Sequence, residues 1–269
     1  MTAAAPTAAT MPPQAAEPRP IVEVRSVSKV YPGGVQALDA VSVDIPEGRL
    51  TALLGPSGCG KTTLLKIISG LVPVTSGEVR VGGRSVTGPG PERSFVFQDF
   101  ALLPWATVLR NAAFGLELRG VPRAQREAVA EVQIARVGLK GFEHKYPHEL
   151  SGGMRQRVGL ARALAVDAAI ILMDEPFSAV DEQTRRKFQE DLLELIARER
   201  KTFIFVTHSI EEAVYVADRI VLLTPRPGRI SQVIEVAVPR GGDPDAIRRD
   251  PMYLDTVESI WAGLKQYVG

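Results

Sequence analysis

The chain has 269 residues, 45% of them hydrophobic and 23% charged, with a formal net charge of +1. That length accommodates one large core with a smaller appended lobe. The balanced charge gives no electrostatic basis for binding DNA or RNA, where a basic stripe is expected. The single cysteine excludes an internal disulfide, and with no Cys and His cluster no zinc site is expected.

Residues 1–20 are rich in alanine and proline, carry no early Lys or Arg, and contain no continuous apolar run long enough for a signal peptide. They read as a disordered tail. No stretch approaches the roughly eighteen apolar residues that a membrane span requires. The expectation is a soluble, cytoplasmic protein that acts at a membrane only through a partner.

Residues 21–97 alternate short strand runs with glycine turns, clearest at 35–45 and 77–81, which suits a mixed sheet. Within them Leu50-Thr51-Ala52-Leu53-Leu54 reads as a buried strand, and the residues from Thr62 to Ile68 read as a helix. Between the two lies Gly55-Pro56-Ser57-Gly58-Cys59-Gly60-Lys61-Thr62, followed by Thr63. Strand, glycine-rich loop and helix are the context of a phosphate-binding loop. Gly55, Gly58 and Gly60 let the backbone curl so that its N–H groups point inward, and the following helix adds the positive end of its dipole. Lys61 would reach the β and γ phosphates of a nucleoside triphosphate, and the Thr62 hydroxyl would ligate magnesium. Cys59, at a helix N-terminus beside Lys61, is expected to have a lowered thiol pKa and to be modifiable unless bound nucleotide protects it.

Residues 99–165 turn helical, with 124–137 the clearest segment. Strand and helix then alternate: a strand over 168–173 ending at Asp174, a helix over 182–198, a strand over 202–207, a helix from 210 and a strand over 219–223. Such alternation predicts a parallel sheet covered by helices. Asp174-Glu175-Pro176 puts two carboxylates at a strand exit, where proline ends the pairing. Asp174 could hold magnesium through water, and Glu175 could polarise the water that attacks the γ phosphate. A helix over 251–267 containing Trp261 ends the chain, with an amphipathic pattern.

Leu150-Ser151-Gly152-Gly153-Met154-Arg155-Gln156 supplies a hydroxyl, two glycines and a helix start. With that fragment beside the phosphate loop, the chain from Ile21 onward closely resembles the ATP-binding subunit of an ABC transporter. The resemblance implies an α/β fold: a P-loop NTPase core of mixed, mainly parallel sheet with flanking helices, an antiparallel β subdomain and an inserted α-helical subdomain. It implies one ATPase domain over 21–240, with the nucleotide-binding core at 21–97 and 166–240, the helical subdomain at 98–165, and an extension at 241–269. It also implies a head-to-tail pair in which Ser151, Gly152 and Gly153 of one copy close over the γ phosphate on the other. Tyr31 matches an aromatic residue that stacks on adenine, and Gln98 a glutamine that touches magnesium and water. Asp181 matches a loop through which the copies sense each other, with Val180 where leucine is usual. His208 matches a histidine at the γ phosphate.

The implied activity is ATP hydrolysis coupled to transport, with ATP and magnesium bound. The implied partners are a second copy, an integral membrane permease and, indirectly, an extracytoplasmic solute-binding protein; no nucleic acid is expected. The implied location is the cytoplasmic face of the inner membrane. The apolar segment Phe100-Ala101-Leu102-Leu103-Pro104-Trp105 is the expected permease contact. The absence of a coiled-coil insertion argues against a DNA-directed relative, and single copies of each motif against a translation-associated one. A free-standing cassette favours an importer over an exporter. The stretches 206–213 and 223–230 resemble the nitrate, sulfonate and taurine importer branch.

Overall fold

Four apolar segments, Leu50–Leu54 (β3), Ile170–Asp174 (β7), Thr202–Thr207 (β8) and Arg219–Leu223 (β9), form the centre of the protein. All are short and nearly all their residues are buried, so they pair as inner parallel strands with both faces covered. In the computed structural model, which describes residues 19–178, 181–199, 201–239 and 243–265, the sheet runs β10-β9-β3-β8-β7-β6. Its edges are Arg93–Val96 (β6), parallel to β7, and Ile230–Glu235 (β10), antiparallel to β9. The mainly parallel order is the one expected. β10 is the element the sequence reading passed over. Most of the predicted tail, Val180 and the end of the helix predicted to reach residue 267 lie outside the described residues.

A second sheet is antiparallel, ordered β2-β1-β4-β5. It comprises Pro20–Val30 (β1), Gln36–Pro46 (β2), Ser76–Val81 (β4) and Arg84–Ser85 (β5). Successive residues of a strand point to opposite faces, so each inner strand feeds two cores. One joins Leu53, Leu172, Ile204 and Val206 to the antiparallel sheet and to helix Lys61–Ser69 (α1). The other joins Leu54, Met173, Phe205 and Leu222 to the remaining helices.

Val108–Leu118 (α2), Arg123–Arg136 (α3) and Gly152–Ala165 (α4) pack on one another as a helical lobe. Glu182–Arg198 (α5) and Ile210–Val216 (α6) flank the central sheet, and Pro244–Arg249 (α7) and Pro251–Lys265 (α8) follow β10. α8 lays Tyr253, Ile260 and Leu264 inward against the second core, and leaves Trp261 partly exposed. Its inward residues fall seven and then four apart, the amphipathic spacing read in the sequence.

Candidate active site

The loop between β3 and α1 turns on glycine. Gly60 caps α1 with φ 101°, and a Cβ there would lie 2.7 Å from Leu38 Cδ2 and 2.8 Å from the Ala37 carbonyl oxygen. Only glycine meets both the positive φ and the close approach. From the other side the segment after β9 leans on the same loop. A Cβ on Gly228 would sit 2.0 Å from the Cys59 carbonyl oxygen, while the Gly228 N–H donates to Ala37 O at 2.9 Å and Gly228 O accepts from Asp39 N–H at 3.0 Å. The phosphate loop is thus held between β2 and residues 224–229.

A cleft of about 280 Å³ opens over that loop. It is lined by Ser57 through Thr63, by Tyr31, Val35 and Ala37 at one end, and by Glu175 and Arg226. Gly55 and Pro56 lie beneath it: Lys61, only 5% exposed, donates from Nζ to Gly55 O at 2.7 Å and to Pro56 O at 2.9 Å. A buried ammonium held by two neutral carbonyls has its charge available for a phosphate. Tyr31 follows β1, and its hydroxyl is 3.3 Å from Thr63 Oγ1. Val35, Ala37 and Arg226 were not singled out from the sequence. Each is an ordinary residue in a turn or strand, and only the folding of 31–37 and 224–229 over the loop brings them to the cleft.

Cys59 corrects one expectation. It is wholly buried, and burial pushes its thiol above the ordinary range, with Lys61 acting in the opposite direction without overcoming it. A helix N-terminus and a lysine lower a thiol pKa when water also reaches the sulfur; here the sulfur is packed against the core. Burial and the raised thiol pKa run against the lowered pKa expected of this cysteine.

At the exit of β7, Asp174 Oδ1 accepts from Thr62 Oγ1 at 2.7 Å. Asp174 is 5% exposed, and burial raises its pKa although the Thr62 bond and the nearby Lys66 and Lys61 work the other way. A carboxylate held against a desolvation cost, beside a threonine hydroxyl, is a hard-oxygen donor pair that suits magnesium. The residues present therefore fit that ion.

Glu175 follows with φ 45°, a conformation rarely adopted by residues other than glycine, and its carbonyl accepts from Ser178 N at 3.2 Å and Ser178 Oγ at 3.0 Å. The strained turn swings the carboxylate off the sheet into the cleft. There Oε2 accepts from Gln98 Nε2 at 3.4 Å and lies 3.6 Å from His208 Nδ1. Three strand ends, those of β6, β7 and β8, thus deliver Gln98, Glu175 and His208 to one point. The His208 side chain is 61% exposed there.

The two remaining predicted pieces lie elsewhere. Asp181 caps α5, accepting from Thr184 N at 3.0 Å and Thr184 Oγ1 at 2.7 Å, and these bonds lower its pKa. Ser151 caps α4 by accepting from Met154 N at 3.3 Å; it is exposed, with Gly152 and Gly153 behind it in the first turn. Ser151, Gly152 and Gly153 are not among the residues lining the cleft over the phosphate loop of their own chain.

The segment 100–105 is braced from beneath. Asn111, fully buried, donates through Nδ2 to Leu103 O, Ala106 O and Thr107 O and accepts from Leu103 N–H. Arg162 donates to Phe100 O at 2.6 Å and Ala101 O at 2.7 Å. Phe100 turns inward at 8% exposure, whereas Trp105 stands out at 70%.

The geometry agrees with what the chain is similar to. The family model described as ABC transporter matches residues 38–178. An uncharacterised ABC transporter ATP-binding protein of Methanocaldococcus jannaschii is 49% identical over 229 residues, 84% of this chain and 86% of that protein. A taurine import ATP-binding protein of Pseudomonas syringae is 47% identical over 249 residues, 91% of this chain and 95% of its own. A solved dimeric ATP-binding cassette in a post-hydrolysis state, bound to ADP and Pi, superposes with a TM-score of 0.72 at 32% identity, over 82% of this chain and all of that one. A phosphate loop, a paired carboxylate exit and a signature helix on this one scaffold leave a single conclusion: the chain belongs to the ABC transporter family, as an ATP-binding and ATP-hydrolysing cassette.

Proposed function

We propose that the protein is the motor of an importer for a small anionic solute, with taurine as the leading cargo and aliphatic sulfonates or nitrate as the related class. Two copies bind ATP head to tail, close, drive a separate permease into its alternate state, hydrolyse and reopen. An extracytoplasmic solute-binding protein would deliver the cargo. The cassette would sit at the cytoplasmic face of the membrane, and no described helix is long and apolar enough to cross it.

The observation that carries this reading is the split between the two halves of the site. Lys61, Thr62, Asp174, Glu175, Gln98 and His208 converge at one end of the central sheet, whereas the exposed Ser151 helix end lies apart from that cleft. A second copy supplies what is missing. Tyr31 would stack on adenine at the end of the cleft, with the loop amides of Gly58 to Thr63 on the phosphates. Thr62, Asp174 and Gln98 would hold magnesium, which when bound neutralises charge on the β and γ phosphates.

Glu175 orients and polarises the attacking water, and Gln98 and His208 fix that carboxylate in place. Lys61 stabilises the charge developing on the γ phosphate, joined by His208 and by Ser151 of the second copy. Asp181 stands at the copy-to-copy boundary. Closure excludes water, which strengthens every one of these interactions. The braced segment 100–105, with Trp105 presented outward, is the surface we assign to the permease.

Cargo is tested by deleting the gene in its host and measuring growth with taurine or an alkanesulfonate as sole sulfur source, and nitrate as sole nitrogen source. Loss on taurine alone supports the leading reading. Loss on another source alone moves the cargo to that solute, and unchanged growth on all three contradicts the proposed class.

A further inference from the structure

Two helices begin at the γ-phosphate end of the cassette. α5 starts at its cap Asp181, and α6 starts at Ser209, directly after His208. α6 has seven residues, too few to hold a direction by its own hydrogen bonds, so its orientation is set by what it packs against. α5 and α6 touch each other little along their lengths. A cavity of about 320 Å³ lies between them, and residues of two polar bridges, Arg185 with Glu212 and Arg248 with Gln189, line it.

The near bridge is Arg185 Nε to Glu212 Oε1 at 3.7 Å, with Glu212 also accepting from Thr207 Oγ1 at 2.6 Å. The far bridge comes from the C-terminal extension. Arg248 lays its guanidinium 4.2 Å from the centre of the Tyr215 ring on α6, and donates to Gln189 Oε1 on α5 at 3.2 Å. Tyr215 and Gln189 are each 4% exposed, so the contact is made against fixed side chains. Five residues on, in α8, Tyr253, 5% exposed, donates its hydroxyl to the Glu211 carbonyl in the first turn of α6 at 3.3 Å. A planar guanidinium that stacks on a ring of one helix and donates to a side chain of the other fixes their spacing in a way a point charge does not.

We propose that Arg248 and Tyr253 are positioning residues for hydrolysis: the C-terminal extension clips α5 to α6 and so sets where His208 and Asp181 stand when the two copies close. The proposal rests on the reading above in which His208 acts at the γ phosphate. Its chemistry is indirect, since neither side chain lines the nucleotide cleft. Loosening the clip lets His208 drift relative to Glu175, which lowers turnover without altering the phosphate loop.

The test compares Arg248→Ala, Arg248→Lys, Tyr253→Phe and His208→Ala in the full-length chain, with steady-state ATPase kinetics and ATP-binding stoichiometry. Tyr253→Phe keeps the buried ring and removes only the hydroxyl, so it reports on the clip even if Arg248→Ala folds poorly. The expected result is a roughly three- to tenfold fall in kcat for Arg248→Ala and a smaller fall for Tyr253→Phe, both with KM for ATP unchanged and one ATP bound per chain. Arg248→Lys, which keeps a cation over Tyr215, recovers part of the loss. Unchanged kcat in Arg248→Ala and Tyr253→Phe, while His208→Ala is impaired, overturns the clip alone. Wild-type turnover in His208→Ala overturns the underlying role of His208 and the clip with it. A fall in kcat matched by an equal fall in binding stoichiometry also overturns the proposal, because it reports lost folded protein.

Discussion

Gly228→Ala perturbs the site from a residue that need not touch nucleotide. The added Cβ would lie 2.0 Å from the Cys59 carbonyl oxygen, a full ångström inside the 3.0 Å that real Cβ contacts respect, and 3.4 Å from Ala37 O. Both neighbours are backbone, so nothing can rotate aside. Either residues 224–229 retreat, or the Cys59 peptide moves. Retreat breaks the Gly228 N–H to Ala37 O bond and the Asp39 N–H to Gly228 O bond, at about 0.5 to 1.5 kcal/mol each, hence about 1 to 3 kcal/mol of stability. Movement of the peptide displaces amides of the phosphate loop by about an ångström, which is enough to cost up to about a hundredfold in rate. Equilibrium ATP titration and thermal unfolding of the variant separate the two responses. The expected outcome is at least about a tenfold loss in ATP affinity or a stability loss in the stated range. Gly88→Ala, where an added Cβ meets nothing within 4 Å, should be silent. A Gly228→Ala protein that binds ATP and melts like the unmodified chain would refute the claim that this segment braces the loop.

Other outcomes follow from the same geometry. Ser151→Arg should abolish turnover while leaving ATP binding by an isolated chain intact; lost binding by the monomer would sink the two-copy site. Cys59 should resist an aromatic disulfide reagent in the folded, nucleotide-free chain and titrate one thiol only after unfolding; fast labelling of the native chain would contradict its burial. Burial raises the folded-state pKa of Asp174, and also of Glu212. Between the unfolded carboxylate value, about 4, and that raised value the native chain binds more protons, so these groups make stability fall as pH rises through the window. Asp174→Asn should therefore melt higher than the unmodified nucleotide-free chain at neutral pH, with the gap closing as pH is lowered through that window. A gap independent of pH would show that the burial cost of Asp174 is not felt.

Much of this architecture was legible in the residues because its signals are local. The helix over 182–198 and the strands over 202–207 and 219–223 coincide with α5, β8 and β9, since capping by Asp181 and uninterrupted apolar runs mark those ends sharply. The strand expected from 168 begins at Ile170, where pairing with Arg93 and Thr202 starts. β10 escaped notice because an edge strand with four of its six residues exposed has no apolar run to betray it. At the site, glycine spacing located the phosphate loop, while Arg226 and Gly228 were invisible: their closeness to Cys59 depends on β9 lying next to β3. The lowered thiol pKa expected of Cys59 is countered for a related reason. Charge environment can be read along a chain, but solvent access to a sulfur depends on the residues packed around it from elsewhere in the sequence.

The most direct measurement of the central claim is made on Glu175→Gln, following ATP turnover and ATP-dependent association in the same preparation. The side chain remains close in size, so Gln98 and His208 keep a neighbour while the carboxylate that would polarise water is gone. The account predicts turnover reduced by about a hundredfold or more, together with an ATP-bound dimer that accumulates and persists. Turnover at the unmodified rate, with no trapped dimer, would contradict it.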